Sequence, residues 1–266
     1  MRFVVIGSPR TGSSYLTQKL RRQADILCHG EVFHQRHVWV YWPKRDLTDA
    51  VRDELAELRR REPEALLERV FATDYGHACV GFKIFEGQCD PVLERLIGDA
   101  SVRKVVLFRR NVLANYASAQ AAGRSGSWST TTTPADGSPP KVKFRTGRFV
   151  RFHNEYVGFY RRIIEDLNGK REPFYLVNYE DIDDPYLFAC LVNFIGGDPR
   201  AAGKSLRNQL QKQNASDILS RFSNPDEVVA FLTEHRLLHW AREPATDIGP
   251  FASLDAAPDP DDEKHA

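Results

Sequence analysis

Methionine occurs once among 266 residues, and cysteine only four times. Cys28, Cys79, Cys89 and Cys190 stand 51, 10 and 101 residues apart. That spacing is neither a disulfide framework nor a C-x-x-C metal or redox pair, so reduced, small apolar side chains in an intracellular protein are expected. Charge of one sign is also lacking, since Lys plus Arg number 37 and Asp plus Glu 36, a formal net charge of +1. No whole-molecule field then draws nucleic acid or an anionic membrane, and any anion site has to be a local cluster of Arg and Lys. No apolar run approaches the ~20 residues of a membrane span. The opening MRFVVIGSPR has no basic region ahead of a long apolar stretch, so no signal peptide is expected and the location read is cytoplasmic. Arg outnumbers Lys 27 to 10, a bias that points to a bacterium with a G+C-rich genome.

What is present is an alternation of two periodicities. Residues 2–7 (RFVVIG) form a short β-branched run that ends in a Gly-containing loop, followed by a helical pattern with Leu16 and Leu20 four apart. Further strand-like runs fall at 79–85, 103–108 and 173–179. Helical stretches are expected at about 48–61, 63–73, 111–122, 148–168 and 183–196, while residues 26–29 (ILCH) fit a strand or the lead into a loop. Such alternation predicts an α/β fold, three layers with a central, mainly parallel sheet. The length fits one domain, expected over residues 1–251. Within it, the Ser-, Thr-, Gly- and Pro-rich residues 123–146 read as a long substrate or lid loop. Residues 252–266 are acidic and lack large apolar side chains, which predicts a disordered tail.

The loop after the first strand, Gly7 to Ser14, has the G-x-x-x-x-G spacing of a phosphate-binding loop, with Ser13 in place of the Walker lysine. Between a strand and a helix start, Gly12 lets the backbone approach a bound group, and the amides of Thr11, Gly12, Ser13 and Ser14 can converge on a phosphate or sulfate. Without the Walker lysine, charge has to come from elsewhere, and Arg10 is the nearest candidate. The plainer reading is a tight turn with Ser13 or Ser14 capping the helix. A second anion group follows the strand at 103–108, where Arg110 and Ser118 lie eight residues apart on one helix face. Arg109 beside them either adds charge or is merely solvated.

Pro9 to Tyr15, with Arg10, Thr11, Gly12, Ser13 and Ser14 between, resembles the 5′-phosphosulfate loop of sulfotransferases that use 3′-phosphoadenosine 5′-phosphosulfate (PAPS). Arg110 and Ser118 resemble that family's 3′-phosphate motif. The segment from Lys212 to Leu232, with GFKIF at 81–85 and the pair Gly30-Glu31, is similar to bacterial sulfotransferases of the nodulation-factor type, and the likeness runs from residue 2 to about residue 234. It implies a P-loop NTPase-like sulfotransferase fold and sulfuryl transfer from PAPS to a hydroxyl of a carbohydrate, glycolipid or other natural product. Adenosine 3′,5′-bisphosphate would be released, with no metal required.

Under that resemblance Arg10, Thr11, Gly12, Ser13, Ser14, Arg110, Ser118 and Lys212 hold the donor. Transfer needs an in-line acceptor, a base for its proton and cations on the leaving oxygen. Arg10 and Lys83 are the cation candidates, Lys83 because it interrupts an apolar strand, where it either faces a buried anion or snorkels outward. Cytosolic animal sulfotransferases place a His two residues beyond a comparable lysine. That position is Phe85 here, so the base falls to Glu31, whose plainer reading is a surface Glu paired with Arg36. His29, His34 and His37 cluster beside it with Cys28, and metal binding there ranks below acceptor binding because the spacing matches no ligand pattern.

Trp39, Tyr41, Trp42 and Trp128 are candidates to stack on an acceptor or on adenine, or are simply packing. The aromatic helix with Phe149, Phe152, Tyr156, Phe159 and Tyr160 reads as core, with His153 structural. The partners read are a small-molecule, carbohydrate or lipid-linked acceptor and no nucleic acid, with a homodimer left open. Two other readings stand beside this one: a P-loop kinase or NTPase with Glu180 and Asp181 as metal carboxylates, and a non-catalytic nucleotide-binding module.

Overall fold

A computed structural model describes residues 1–125, 140–201, 217–244 and 254 of the chain. In chain order the strands are β1 (Arg2–Gly7), β2 (Ile26–Glu31), β3 (Cys79–Phe85), β4 (Val102–Phe108) and β5 (Phe174–Asn178). The helices are α1 (Ser13–Leu20), α2 (Asp49–Arg61), α3 (Pro63–Ala72), α4 (Asp90–Gly98), α5 (Val112–Ser125), α6 (Thr146–Gly169), α7 (Pro185–Phe194) and α8 (Pro225–Glu234). The chain divides into two compact units, one of Met1–Phe108 with Ile163–Leu206 and the other of Arg109–Arg162 with Arg207–Ala266.

All five strands are in the first unit, every pairing is parallel, and the order is β2-β3-β1-β4-β5. β1 therefore has β3 on one side and β4 on the other. In parallel α/β sheets, such a reversal opens a crevice at the strands' carboxyl ends, where ligands bind. The glycine loop leaves β1 at that point.

Alternation along the strands puts Phe3, Val5, Cys79, Val105, Leu107 and Val177 in one core cluster with Leu16 and Leu20 of α1 and Leu191 and Val192 of α7. α1 buries Ser13, Leu16, Thr17 and Leu20, the i, i+3, i+4, i+7 stripe of an amphipathic helix. From the alternate strand positions, Phe82 packs on Phe71 of α3 and on Phe33, each at a ring-centroid distance of 5.6 Å. Thr48 caps α2 by accepting the Val51 N–H, and Pro63 opens α3 where its missing N–H costs nothing.

The sheet and most helices lie where the sequence puts them. ILCH proves to be strand, the start of β2. No helix is expected from the sequence between β3 and β4, yet α4 occupies Asp90–Gly98 with Val92, Leu93, Leu96 and Ile97 buried. The expected loop at 123–146 is shorter at its start, since α5 runs to Ser125. It ends where α6 begins at Thr146, and residues 126–139 lie outside the described residues. Of the tail at 252–266 only Leu254 is described. Its N–H donates to the Asn154 Oδ1 and its carbonyl accepts from the Asn154 Nδ2, both at 2.9 Å.

The second unit is built around Tyr116 of α5. Its ring lies 5.4–6.5 Å from those of Phe144, Phe149, Phe152 and Phe222. Phe149 and His153 of α6 both meet the Trp240 ring, so the aromatic helix and His153 are core, as expected. Arg109 is not solvated. It is 4% exposed, and its Nη2 lies 2.5 Å from the Glu243 Oε1, while the Arg221 Nη2 lies 3.4 Å from the other Glu243 oxygen. Its backbone N–H donates to the Tyr156 hydroxyl at 2.7 Å. Burial of a cation requires such a partner.

Candidate active site

The glycine loop closes on itself, the Thr11 hydroxyl donating to the Ser8 carbonyl at 2.7 Å. Arg10 and Gly12 both adopt left-handed backbone, with φ of 67° and 83°. For Gly12 this is necessary twice over, because a Cβ there would collide with the Tyr179 ring. Gly12 is the N-cap of α1 and makes no side-chain cap, while Ser13 and Ser14 are the helix's first two residues. The capping role open to either serine is therefore not taken. The first-turn N–H groups of α1 have no carbonyl within the helix to accept them, the general basis of anion binding at a helix start.

Both serine hydroxyls turn instead to Lys83. Its Nζ donates to the Ser14 Oγ at 2.9 Å and to the Ser13 Oγ at 3.3 Å, and it lies 3.2 Å from the Glu31 Oε1. The Lys83 side chain is 6% exposed and that of Glu31 21%. Lys83 does not snorkel; it faces inward from the middle of β3. Burial pushes its pKa down, and the Glu31 carboxylate opposes that shift. The Glu31 Oε2 accepts from the Gln88 Nε2 at 2.8 Å. Lys83, Glu31, Ser13, Ser14 and Gln88 thus form one polar group at the start of α1, with an ammonium reaching it from β3.

Glu31 faces Lys83 because of an irregularity in β2. Cys28 pairs with Gly81 and Glu31 with Lys83, so three steps along β2 match two along β3. Side chains of a strand alternate between faces. Regular pairing would put Gly30 opposite Lys83 and turn Glu31 to the other face with Ile84. The extra residue is a β-bulge on an edge strand, a feature that re-aims side chains beside sites. Gly30 donates its N–H to the Trp39 carbonyl at 2.9 Å, and a Cβ there would meet the Trp39 Cβ at 2.8 Å, so glycine permits the close approach. The plainer reading of Glu31, a surface residue paired with Arg36, gives way to contacts with Lys83 and Gln88.

His29 is fully buried. Its Nδ1 accepts the Tyr41 N–H at 3.1 Å, and burial pushes its pKa down to about 3, so the ring is neutral. Burial pushes the Cys28 thiol up to about 12, so it is a neutral, unreactive thiol. Among the described residues no group of three or more His, Cys, Asp or Glu side chains could hold a metal ion. Trp42 is buried edge-on to His29, and the Arg21 guanidinium covers the Tyr41 ring at 3.6 Å. Trp39 remains 50% exposed, which makes it the stacking candidate with an open ring. Trp128 and Lys212 lie outside the described residues.

Arg110 and Ser118 belong to the second unit. Arg110 is half-buried just ahead of α5, and Ser118 is buried in that helix. Asn111 fixes this helix start, its Oδ1 accepting the Ala114 N–H and its Nδ2 donating to the carbonyls of Trp240 and Arg242. The first unit thus gathers Thr11, Gly12, Ser13, Ser14, Lys83 and Glu31 within the loop and its surroundings. Gln88 is a member that sequence motifs miss; its signal is the Glu86-Gly87-Gln88 turn ending the Lys83 strand.

No family model matches the chain. Nodulation protein H of Rhizobium tropici is 24% identical over 248 residues, covering 86% of this chain and 95% of that protein. Among solved structures, a sulfotransferase from Alicyclobacillus acidocaldarius is 15% identical with a TM-score of 0.42, covering 89% of this chain and 94% of its own. The sulfotransferase domain of the Synechococcus PCC 7002 olefin synthase is 15% identical with a TM-score of 0.38, covering 86% and 82%. The resemblance to sulfotransferases of the nodulation type, carried in the sequence by the segment from Lys212 to Leu232, GFKIF at 81–85 and Gly30-Glu31, is thus borne out at low identity by a nodulation protein aligned over most of both chains.

Proposed function

We propose that this chain is a sulfotransferase that moves the sulfuryl group of PAPS to a hydroxyl of a carbohydrate, glycolipid or other natural product, releasing adenosine 3′,5′-bisphosphate. The observation that carries the reading is the buried Lys83 ammonium, held between the first-turn hydroxyls of α1 and the Glu31 carboxylate. A cation and a carboxylate side by side at a helix start supply the two charges that sulfuryl transfer to an alcohol requires. Residues 1–251 are taken to act as one catalytic domain.

In this reading the amides of residues 11–14, with Arg10, hold the 5′-phosphosulfate, and Arg110, Ser118 and Lys212 hold the 3′-phosphate end. Glu31 takes the proton of the acceptor hydroxyl as its oxygen bonds to sulfur. The bond from sulfur to the bridging oxygen breaks, its electron pair passes to the 5′-phosphate, and Lys83 stabilises that charge. The lowered Lys83 pKa makes the ammonium a ready donor to the leaving oxygen. The specificity surface is assigned to residues 32–47, with Trp39 as a ring platform, and to 123–146.

Calorimetric titration with adenosine 3′,5′-bisphosphate, adenosine 5′-monophosphate and ATP tests the donor on wild type and Arg110→Ala. Tight binding of the bisphosphate alone, weakened by at least tenfold in the variant, is the expected result, since loss of a charged donor to phosphate costs about 1.5–3 kcal/mol. Preference for ATP with magnesium would replace this reading with a kinase or NTPase.

A further inference from the structure

We infer that Gln88 is a positioning residue for Glu31, a role that rests on the sulfotransferase reading above and deepens it. Gln88 closes the turn at the carboxyl end of β3. Its backbone N–H donates to the Phe85 carbonyl at 3.2 Å, and its side-chain Oε1 accepts the Phe85 N–H at 3.1 Å. Gly87 in the same turn has a φ of 72° and donates its N–H to the Asp90 Oδ1 at 3.2 Å, so the turn is tied to the start of α4.

These contacts decide the orientation of the amide. Oε1 has to face the Phe85 N–H, which leaves the NH₂ group pointing at the Glu31 Oε2, 2.8 Å away. That bond is charge-assisted and directional. Glu31 is thereby held by two different donors, Lys83 on Oε1 and Gln88 on Oε2. Without Gln88 the carboxylate is free to turn both oxygens toward the Lys83 ammonium. The cation would then be spent on its own neighbour and the base would be turned from the acceptor. Gln88 keeps the pair apart enough for each to act: Lys83 on the leaving oxygen and Glu31 on the incoming hydroxyl.

Gln88→Glu and Gln88→Met separate this role from a merely structural one. Gln88→Glu keeps an oxygen for the Phe85 N–H but puts a carboxylate where Glu31 had a donor; Gln88→Met removes both bonds. Turnover is read as adenosine 3′,5′-bisphosphate released from PAPS, with a carbohydrate panel and water as acceptors. Thermal midpoint and the side-chain amide signals of Gln88 in ¹H–¹⁵N spectra are read beside it. Both variants are expected to lose about 10–100-fold in kcat, the usual cost of a misplaced reacting group, with KM for PAPS unchanged. The Gln88 amide signals should shift in Glu31→Ala.

If Gln88→Glu turns over like wild type while Gln88→Met does not, Gln88 is only a turn cap and the inference is overturned. Amide signals indifferent to Glu31→Ala overturn it as well. Failure of the wild type to bind adenosine 3′,5′-bisphosphate brings down the sulfotransferase reading and this role together, whereas tight bisphosphate binding with an indifferent Gln88 removes the role alone.

Discussion

Lys83 and Glu31 are not equivalent halves of an ion pair. Lys83 is the more buried, and its charge is sustained by Glu31 and two serine hydroxyls. Removing Glu31 leaves a buried ammonium without its anion, whereas removing Lys83 leaves a carboxylate that still has the Gln88 donor and some contact with water. Glu31→Gln is expected to lose about 10²–10⁴-fold in kcat while bisphosphate binding persists, with about 1–3 kcal/mol of stability lost. Lys83→Met is expected to lose about 10²–10³-fold in kcat, weaken bisphosphate binding and leave stability unchanged or raised. Paired kinetics, calorimetry and denaturant melts check this; equal stability losses in both variants would contradict the asymmetry.

The same scale shows what the sequence can and cannot tell. Lys83 stands out in CVGFKIF because an ammonium in an apolar strand needs a reason. Arg109 next to Arg110 offers no such contrast: its partner Glu243 lies 134 positions away, and no local pattern reports that pairing.

At the scale of the element, the glycine loop and its strand are written locally, in a β-branched run, a glycine at left-handed φ and an amphipathic helix with its stripe in register. β2 is written less clearly because ILCHGE lacks both alternation and a β-branched run. The face of Glu31 is not written locally at all. It depends on pairing with β3, some 50 residues on, and on one residue more in β2 than the partner strand matches. α4 is short, nine residues; its signals, Pro91 and the spacing of Val92, Leu93, Leu96 and Ile97, sit in little more than two turns. Deleting Gly30 tests the bulge directly. With one residue fewer, regular pairing from Cys28–Gly81 still brings Glu31 opposite Lys83, so affinity for adenosine 3′,5′-bisphosphate is expected to persist and turnover to stay well above that of Glu31→Gln. Turnover as low as that of Glu31→Gln would show that register with β3 alone does not set the carboxylate's direction.

At the scale of the whole molecule, stability is tied to proton uptake by His29. Burial holds its pKa near 3 in the folded state, against about 6.5 in an unfolded chain. Between these values the unfolded state binds the extra proton, so stability is present above about pH 6.5 and is lost as pH falls toward 3. The loss amounts to about 1.4 kcal/mol per pH unit in that window. His29→Asn keeps an acceptor for the Tyr41 N–H without a proton to gain. Its urea-unfolding free energy is expected to fall less steeply with acid than that of the wild type; parallel pH curves would exclude His29 as the group responsible.

The buried arginine pair of the second unit bears on how the chain is made. Synthesis delivers Arg109 first, Arg221 much later, and Glu243, the carboxylate both guanidiniums share, only after them. Until that carboxylate leaves the ribosome, burying either arginine means burying a cation without the acid the two share. The parallel sheet has its five strands by Asn178, so the first unit has the means to form during translation, while the buried arginines of the second have to wait for Glu243.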